Sequence, residues 1–134
     1  MLKKQNILII LLIGSSIFCQ GCVAVAVGLG AAGTVAYIRG DLESVESKNI
    51  EVVYSAALQT AEDLELKVVS KSKDALSGVV VAYDAENKKV QIKMTATTEH
   101  NTKLSIRVGT FGNEAKSHRI YQRMYNIMNP TNTK

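Results

Sequence analysis

Residues 89–96 read Lys-Val-Gln-Ile-Lys-Met-Thr-Ala, KVQIKMTA, and this stretch decides the fold. In an extended chain Val90, Ile92, Met94 and Ala96 fall on one side, and Lys89, Gln91, Lys93 and Thr95 on the other. A period of two predicts a strand with one dry face and one wet face. Such a strand needs neighbours at its edges and a cover over its dry side.

The flanking sequence supplies both. Downstream, Glu99-His100-Asn101-Thr102 reads as a turn, and Leu104, Ile106 and Val108 alternate with Ser105, Arg107 and Gly109. Upstream, Asp84 to Lys88 is a turn-rich hairpin loop, and Val79 to Tyr83 is a β-branched strand. Leu66 to Ser70 reads as a further strand, with Ser72 to Ser77 as a polar link and Gly78 permitting a turn. Ile50, Val53, Tyr54, Ala57, Leu58, Ala61 and Leu64 form an apolar stripe that predicts a helix over 48–64, capped by Ser47 or Asn49. Asn113 is placed to cap a second helix carrying Ala115, Ile120, Met124, Ile127 and Met128 near one face, and Pro130 ends it.

The expected architecture is therefore α+β. It is a two-layer sandwich in which a four-stranded antiparallel meander is covered on one face by two helices. Asp41 to Ser47 reads as an extended lead-in or a short fifth leading strand. The body is expected to span 41–129, followed by a disordered tail at 130–134.

With 134 residues the chain has room for one domain. Hydrophobic residues make up 46% and charged residues 21%, a globular balance. Aromatic residues are 5% with no Trp, which argues against a surface that stacks bases or sugars. The net charge of +4 drops to +2 without Lys3 and Lys4, too little to point to nucleic acid.

The first segment reads as an address. MLKKQNILIILLIGSSIFCQGC has a positive start at Lys3-Lys4, an apolar run from Ile7 to Ile13, then small residues and a cysteine. That is the layout of a secretory signal over 1–21. Residues 23–38, VAVAVGLGAAGTVAYI, carry no charge. Residues 22–40 are read as a tether or a membrane-associated helix. Ala24, Gly28, Ala32 and Ala36 recur every four residues and would also allow a self-association face between copies.

Gly21 before Cys22 resembles the lipobox of bacterial lipoproteins, although Cys19 stands where that box usually has Leu. The resemblance implies cleavage before Cys22 and anchorage through N-acyl diacylglyceryl Cys22. Val23 then implies the outer membrane, facing the periplasm. An uncleaved N-terminal anchor is the alternative.

Longer stretches carry a second resemblance: Tyr37-Ile38-Arg39-Gly40-Asp41-Leu42-Glu43, Val53-Tyr54-Ser55-Ala56-Ala57-Leu58, Lys73-Asp74-Ala75-Leu76-Ser77-Gly78, and Ile106 to Ala115, IRVGTFGNEA. With Gly21-Cys22 these resemble a family of small bacterial lipoproteins of unknown function, domain of unknown function 3568. The resemblance implies a cell-envelope lipoprotein and no established activity.

Catalytic chemistry has little to stand on. His100 lies in a turn and His118 on a helix beside Arg119, and neither has a visible nucleophile or orienting partner. Two His and two Cys, far apart, do not outline a metal cage, and no cofactor is expected. The expectation is a non-enzymatic, membrane-anchored module that binds another envelope component, with an envelope protein as the candidate partner. Candidate binding residues are Phe111, in the Gly109-Thr110-Phe111-Gly112 segment, and the basic set Lys89, Lys93 and Arg107 on the open sheet face. Phe111 is read as either outward-facing or a buried plug. The alternative function is a periplasmic carrier of a lipid or small molecule in a cavity between helices and sheet.

Overall fold

A computed structural model describes residues 35–131. The signal segment 1–21, Cys22, the positions Ala24, Gly28 and Ala32, and the tail 132–134 lie outside the described residues.

The chain begins with a hairpin, β1 (Ala36–Ile38) and β2 (Asp41–Glu46). Helix α1 (Ile50–Asp63) follows, then β3 (Lys67–Lys73), β4 (Ser77–Tyr83), β5 (Lys89–Ala96), β6 (Thr102–Val108) and helix α2 (Glu114–Met128). All pairings are antiparallel, in the spatial order β1-β2-β6-β5-β4-β3. After β2 the chain crosses to the far edge through α1. The meander β3 to β6 then walks back until β6 lies beside β2.

The α+β class stands, but the sheet has six strands where the sequence pattern indicated four with a lead-in. The lead-in is β2. The sixth strand is β1, at Ala36–Ile38, inside the segment read as tether or helix. Ala36 therefore belongs to a strand and does not continue a helical row of small residues. The cause is the Arg39-Gly40 turn. Both residues take positive φ, +53° and +90°, the two-residue geometry whose twist matches a hairpin. The folded body accordingly includes residues 36–40, ahead of the expected start at 41.

Strand β3 runs on to Lys73 instead of ending at Ser70, and the polar link shrinks to one turn. Asp74 closes it, its Oδ1 accepting from the N–H groups of Leu76 (2.8 Å) and Ser77 (2.7 Å). As an edge strand exposed along its whole length, β3 shows no dry face in its sequence. Lys67, Lys71 and Lys73 and a bulge between Val68 and Ser70 blunt that edge against pairing with another chain.

Helix α1 starts at Ile50, two residues later than the expected 48, and of the two cap candidates it uses Asn49 and not Ser47. Asn49 is extended, and its side chain accepts from Val52 N–H at 3.0 Å. It ends as Glu65 turns left-handed at φ +53° and Leu66 N–H donates to Ala61 O at 2.8 Å. Asn113 caps α2 in the same way, accepting from Lys116 N–H at 3.0 Å. In α2 the core residues are Ile120, Tyr121, Met124 and Met128. Ala115 is exposed and Ile127 half-buried, because α2 presents a narrower stripe than its apolar count implies.

One core lies between the helices and the dry sheet face. Leu42, Val53, Ile92, Met94, Leu104, Ile106 and Met124 are its fully buried large side chains. Val90, Ile92 and Met94 of β5 point into it, as their alternation dictates.

Ile106 sits at the centre of the sheet, paired with Leu42 on one side and Ile92 on the other. Ile106→Ala is expected to lower unfolding free energy by about 2–5 kcal/mol. Lys71→Ala on the exposed edge should change it by under ~0.5 kcal/mol. Urea denaturation followed by circular dichroism checks both.

Candidate functional site

Two regions distant in sequence meet at one end of the sheet: the β1–β2 turn, and the end of β6 with the loop that leads on into α2. Arg107 ties them. The pairing of Leu42 with Ile106 sets Asp41 opposite Arg107 across the β2–β6 seam. Arg107 Nε donates to Asp41 Oδ1 at 2.7 Å and Nη2 to Asp41 Oδ2 at 2.9 Å, a planar fork on a carboxylate. The same guanidinium donates to two backbone carbonyls, Arg39 O at 2.9 Å and Thr110 O at 3.2 Å. One side chain thus holds the turn and the loop together. The bond from Arg107 keeps the Asp41 carboxyl below the usual aspartate range.

Glycines bring the two loops closer still. A Cβ on Gly40 would stand 2.5 Å from Phe111 O, and one on Gly112 would strike Gly40 O and Cα and the Tyr37 hydroxyl. Gly112 also takes φ +85°, so no other residue fits there without strain. Gly109 takes φ +75° but has open space around it. Its N–H donates to Lys89 O at 2.7 Å, which fixes the near end of the loop. Asn113, the cap of α2, fixes the far end.

On this braced loop Phe111 is 91% exposed, the most exposed of the large hydrophobic residues described. The structure decides for the outward reading over the buried plug: the ring faces water, beside the close backbone contact of Gly40 and Gly112.

The basic set divides. Lys89 and Lys93 are exposed on the open sheet face and form no ion pair among the described residues. Arg107 is not a free cation of that face, since Asp41 and two carbonyls take its N–H groups. Its neighbour Lys103 pairs with Glu43 at 3.1 Å. Asp41, Gly40 and Tyr37 had no assigned role in the sequence reading. The opposite charges of Asp41 and Arg107 are visible in the sequence, but only the strand register puts them face to face.

A second charged cluster lies beside the loop. Lys116 Nζ bridges Asp84 Oδ2 at 2.7 Å and Glu86 Oε2 at 2.9 Å, tying α2 to the β4–β5 loop. That bond leads the causes holding Asp84 below its ordinary range. Asp84 Oδ1 also accepts the N–H groups of Glu86 and Lys88, so its carboxylate is consumed in shaping the loop.

Between β2 and α2 a polar group enters the core. Glu46 is 3% exposed and its Oε1 accepts from Ser44 Oγ at 2.7 Å. Burial, with the Glu46 charge nearby, pushes the Tyr121 phenol up.

The histidines stay apart from the loop. His100 is exposed in the β5–β6 turn, its N–H donating to Thr98 Oγ1 at 3.2 Å. His118 Nε2 lies 4.0 Å from Glu114 Oε1, one turn away on α2. Among the described residues no group of three or more His, Cys, Asp or Glu is placed to hold a metal ion. No described helix is long and apolar enough to cross a membrane.

Two measurements test the brace. Gly112→Ala should cost at least about 2 kcal/mol. Gly109→Ala should cost only the backbone strain, about 1–2 kcal/mol, and equal losses would count against the loop-to-turn contact. The depressed carboxyls of Asp41 and Asp84 stabilise the fold above the unfolded aspartate pKa of about 3.9. That contribution is lost as pH falls through their lower folded values. Asp41→Asn should therefore lower the urea midpoint near pH 7 and make it decline less steeply below about pH 4.

No curated protein matches the chain. A model of the family described as Protein of unknown function (DUF3568) matches residues 6–126, and the chain belongs to that family.

Proposed function

We propose that this protein is a bacterial envelope lipoprotein, anchored through acylated Cys22, whose α+β domain is a non-catalytic module binding another envelope protein through the Phe111 loop. The observation that carries the reading is a 91% exposed aromatic side chain on a loop fixed at both ends. Burying a Phe removes about 150–250 Å² from water. At about 25 cal/mol per Å² that is roughly 4–6 kcal/mol before ordering costs. An exposed Lys pair contributes about 0–1 kcal/mol, so Phe111 outweighs Lys89 and Lys93 as an anchor. The brace lowers the ordering cost, since the loop is already in one shape before the partner arrives.

The N-terminal features support the anchor: Lys3-Lys4, the apolar run, and Gly21-Cys22 in that order. Two or three acyl chains on one residue hold a bilayer firmly, at ~0.8 kcal/mol per buried CH₂. Val23 favours the outer membrane, facing the periplasm. Only twelve residues, spanned by thirteen Cα–Cα steps, separate Cys22 from Val35, where the described body begins. Fully extended they reach about 45 Å, so the module works close to its membrane. The carrier reading is weaker, because the space at the end of the helix–sheet layer is a pocket of about 260 Å³, smaller than the ~300–1,000 Å³ usual for a ligand site.

Intact mass and fractionation test the anchor. Wild type should carry the added mass of lipid on Cys22 and sediment with membranes; Cys22→Ser should lack that mass and leave them. An unmodified sulfur on a wild-type chain that stays soluble would sink the reading. For the module, p-benzoylphenylalanine at position 111 should give a discrete crosslinked protein in intact cells. Phe111→Ala should leave thermal stability unchanged within ~0.5 kcal/mol.

A further inference from the structure

Beside Phe111 the surface falls into a groove. One compartment, about 190 Å³, lies against the loop and includes Phe111, Gly112 and Lys88 in its walls. A second, about 260 Å³, lies at the end of the sandwich. Glu86, Val108 and Lys116 line both, so the two are continuous. The floor of the second is apolar: Leu64, Leu66, Val90, Val108 and Ile120. Neither alone reaches the ~300–1,000 Å³ usual for a small-molecule site, and both open to the surface. The larger compartment suits a single bulky side chain, and the open groove suits the extended chain that carries it.

Charge distinguishes the occupants. The groove walls hold three cations, Lys88, Lys116 and Arg119, against two carboxylates, Asp84 and Glu86. Both carboxylates face Lys116, which stands between them at 2.7 and 2.9 Å. Arg119 at the larger compartment and Lys88 at the smaller one form no ion pair among the described residues. The two unpaired cations therefore bracket an apolar floor.

We propose that this groove seats an extended protein segment with one bulky apolar side chain on the Leu66–Ile120 floor and carboxylates beside it, received by Arg119 and Lys88. The inference rests on the reading that Phe111 binds a protein. Burial of Phe111 draws the partner's chain across the groove mouth, and the partner's apolar residue fills the adjacent pocket. Anchors on one surface and pockets beside them on the same surface are the usual pairing of an interface core. A wrong partner bearing a cation at that place meets Arg119 and is rejected, so the groove sets specificity while Phe111 supplies affinity.

The test uses the full-length chain in cells. The crosslinking residue p-benzoylphenylalanine is placed at Phe111, at Ala85 (exposed, on the larger compartment's wall) and at Lys71 on β3. Positions 111 and 85 should crosslink one and the same protein, and position 71 should not. The residues captured from position 85 should lie within a few positions of a large apolar residue flanked by Asp or Glu. Arg119→Glu should cut the yield from position 111 at least about tenfold, since like charges now meet; Arg119→Lys should retain most of it. Lys88→Glu supplies the same arm should Arg119→Glu fail to fold. Crosslinking from 111 that ignores both charge reversals, or capture of a basic segment from position 85, overturns the groove and leaves the Phe111 reading intact. No discrete product from 111 overturns both.

Discussion

The fold closes at the seam between β2 and β6. These strands are more than fifty residues apart in sequence, and their pairing closes a loop over everything between them. The helix α1 carries the chain across the dry face to the far edge, and the meander brings it back. Loop-closure entropy opposes that return, and the interactions at the seam offset it. Leu42 and Ile106 supply the buried part, side by side on the dry face. Asp41 and Arg107 supply the polar part at the wet end, with the two-pronged geometry of a guanidinium on a carboxylate. A Lys at position 107 could meet the Asp41 carboxylate but could not also span Arg39 O and Thr110 O, because it lacks the planar fork.

The same seam shapes the surface proposed to act. Gly40 and Gly112 touch backbone to backbone, which only side-chain-free residues allow, and that contact pushes the intervening loop outward. Phe111 sits beside that contact and faces water. Its exposure is thus carried on a loop held by packing and not on a loose one. A protein that exposes an aromatic ring on braced backbone accepts an unfavourable contact with water, which a partner can relieve. The adjoining groove is built from the other half of the molecule, the β4–β5 loop and the first turns of α2, pinned together by Lys116. The two halves of the surface therefore depend on different links, Arg107 for the loop and Lys116 for the groove.

Much of the body was legible in single residues. The alternation of Val90, Ile92 and Met94 put β5 half-buried and the same pattern in Leu104, Ile106 and Val108 placed β6. Asn49 and Asn113 announced both helix starts through their capping side chains. What escaped had specific causes. β1 is three residues long, too short for a period to show, and its turn uses Arg39 at a position where Asn or Asp is the usual signal. β3 lies at an edge with no buried face, so its lysines and serines read as a link. Tyr121 belongs to the core because Glu46 and Ser44 lie beside it, which no pattern within α2 reveals.

The sequence by itself determined the α+β class, the wet and dry faces of the central strands and the ends of the helices. These follow from side-chain period and capping chemistry, which act over a few residues. Only the tertiary structure decided that Arg107 is a brace rather than a free cation, that Phe111 faces water, and that Lys88 and Arg119 border one groove. Those facts depend on strand register and on which distant backbones touch. Both are set by closure of the β2–β6 seam, an interaction between segments whose separation along the chain hides their contact.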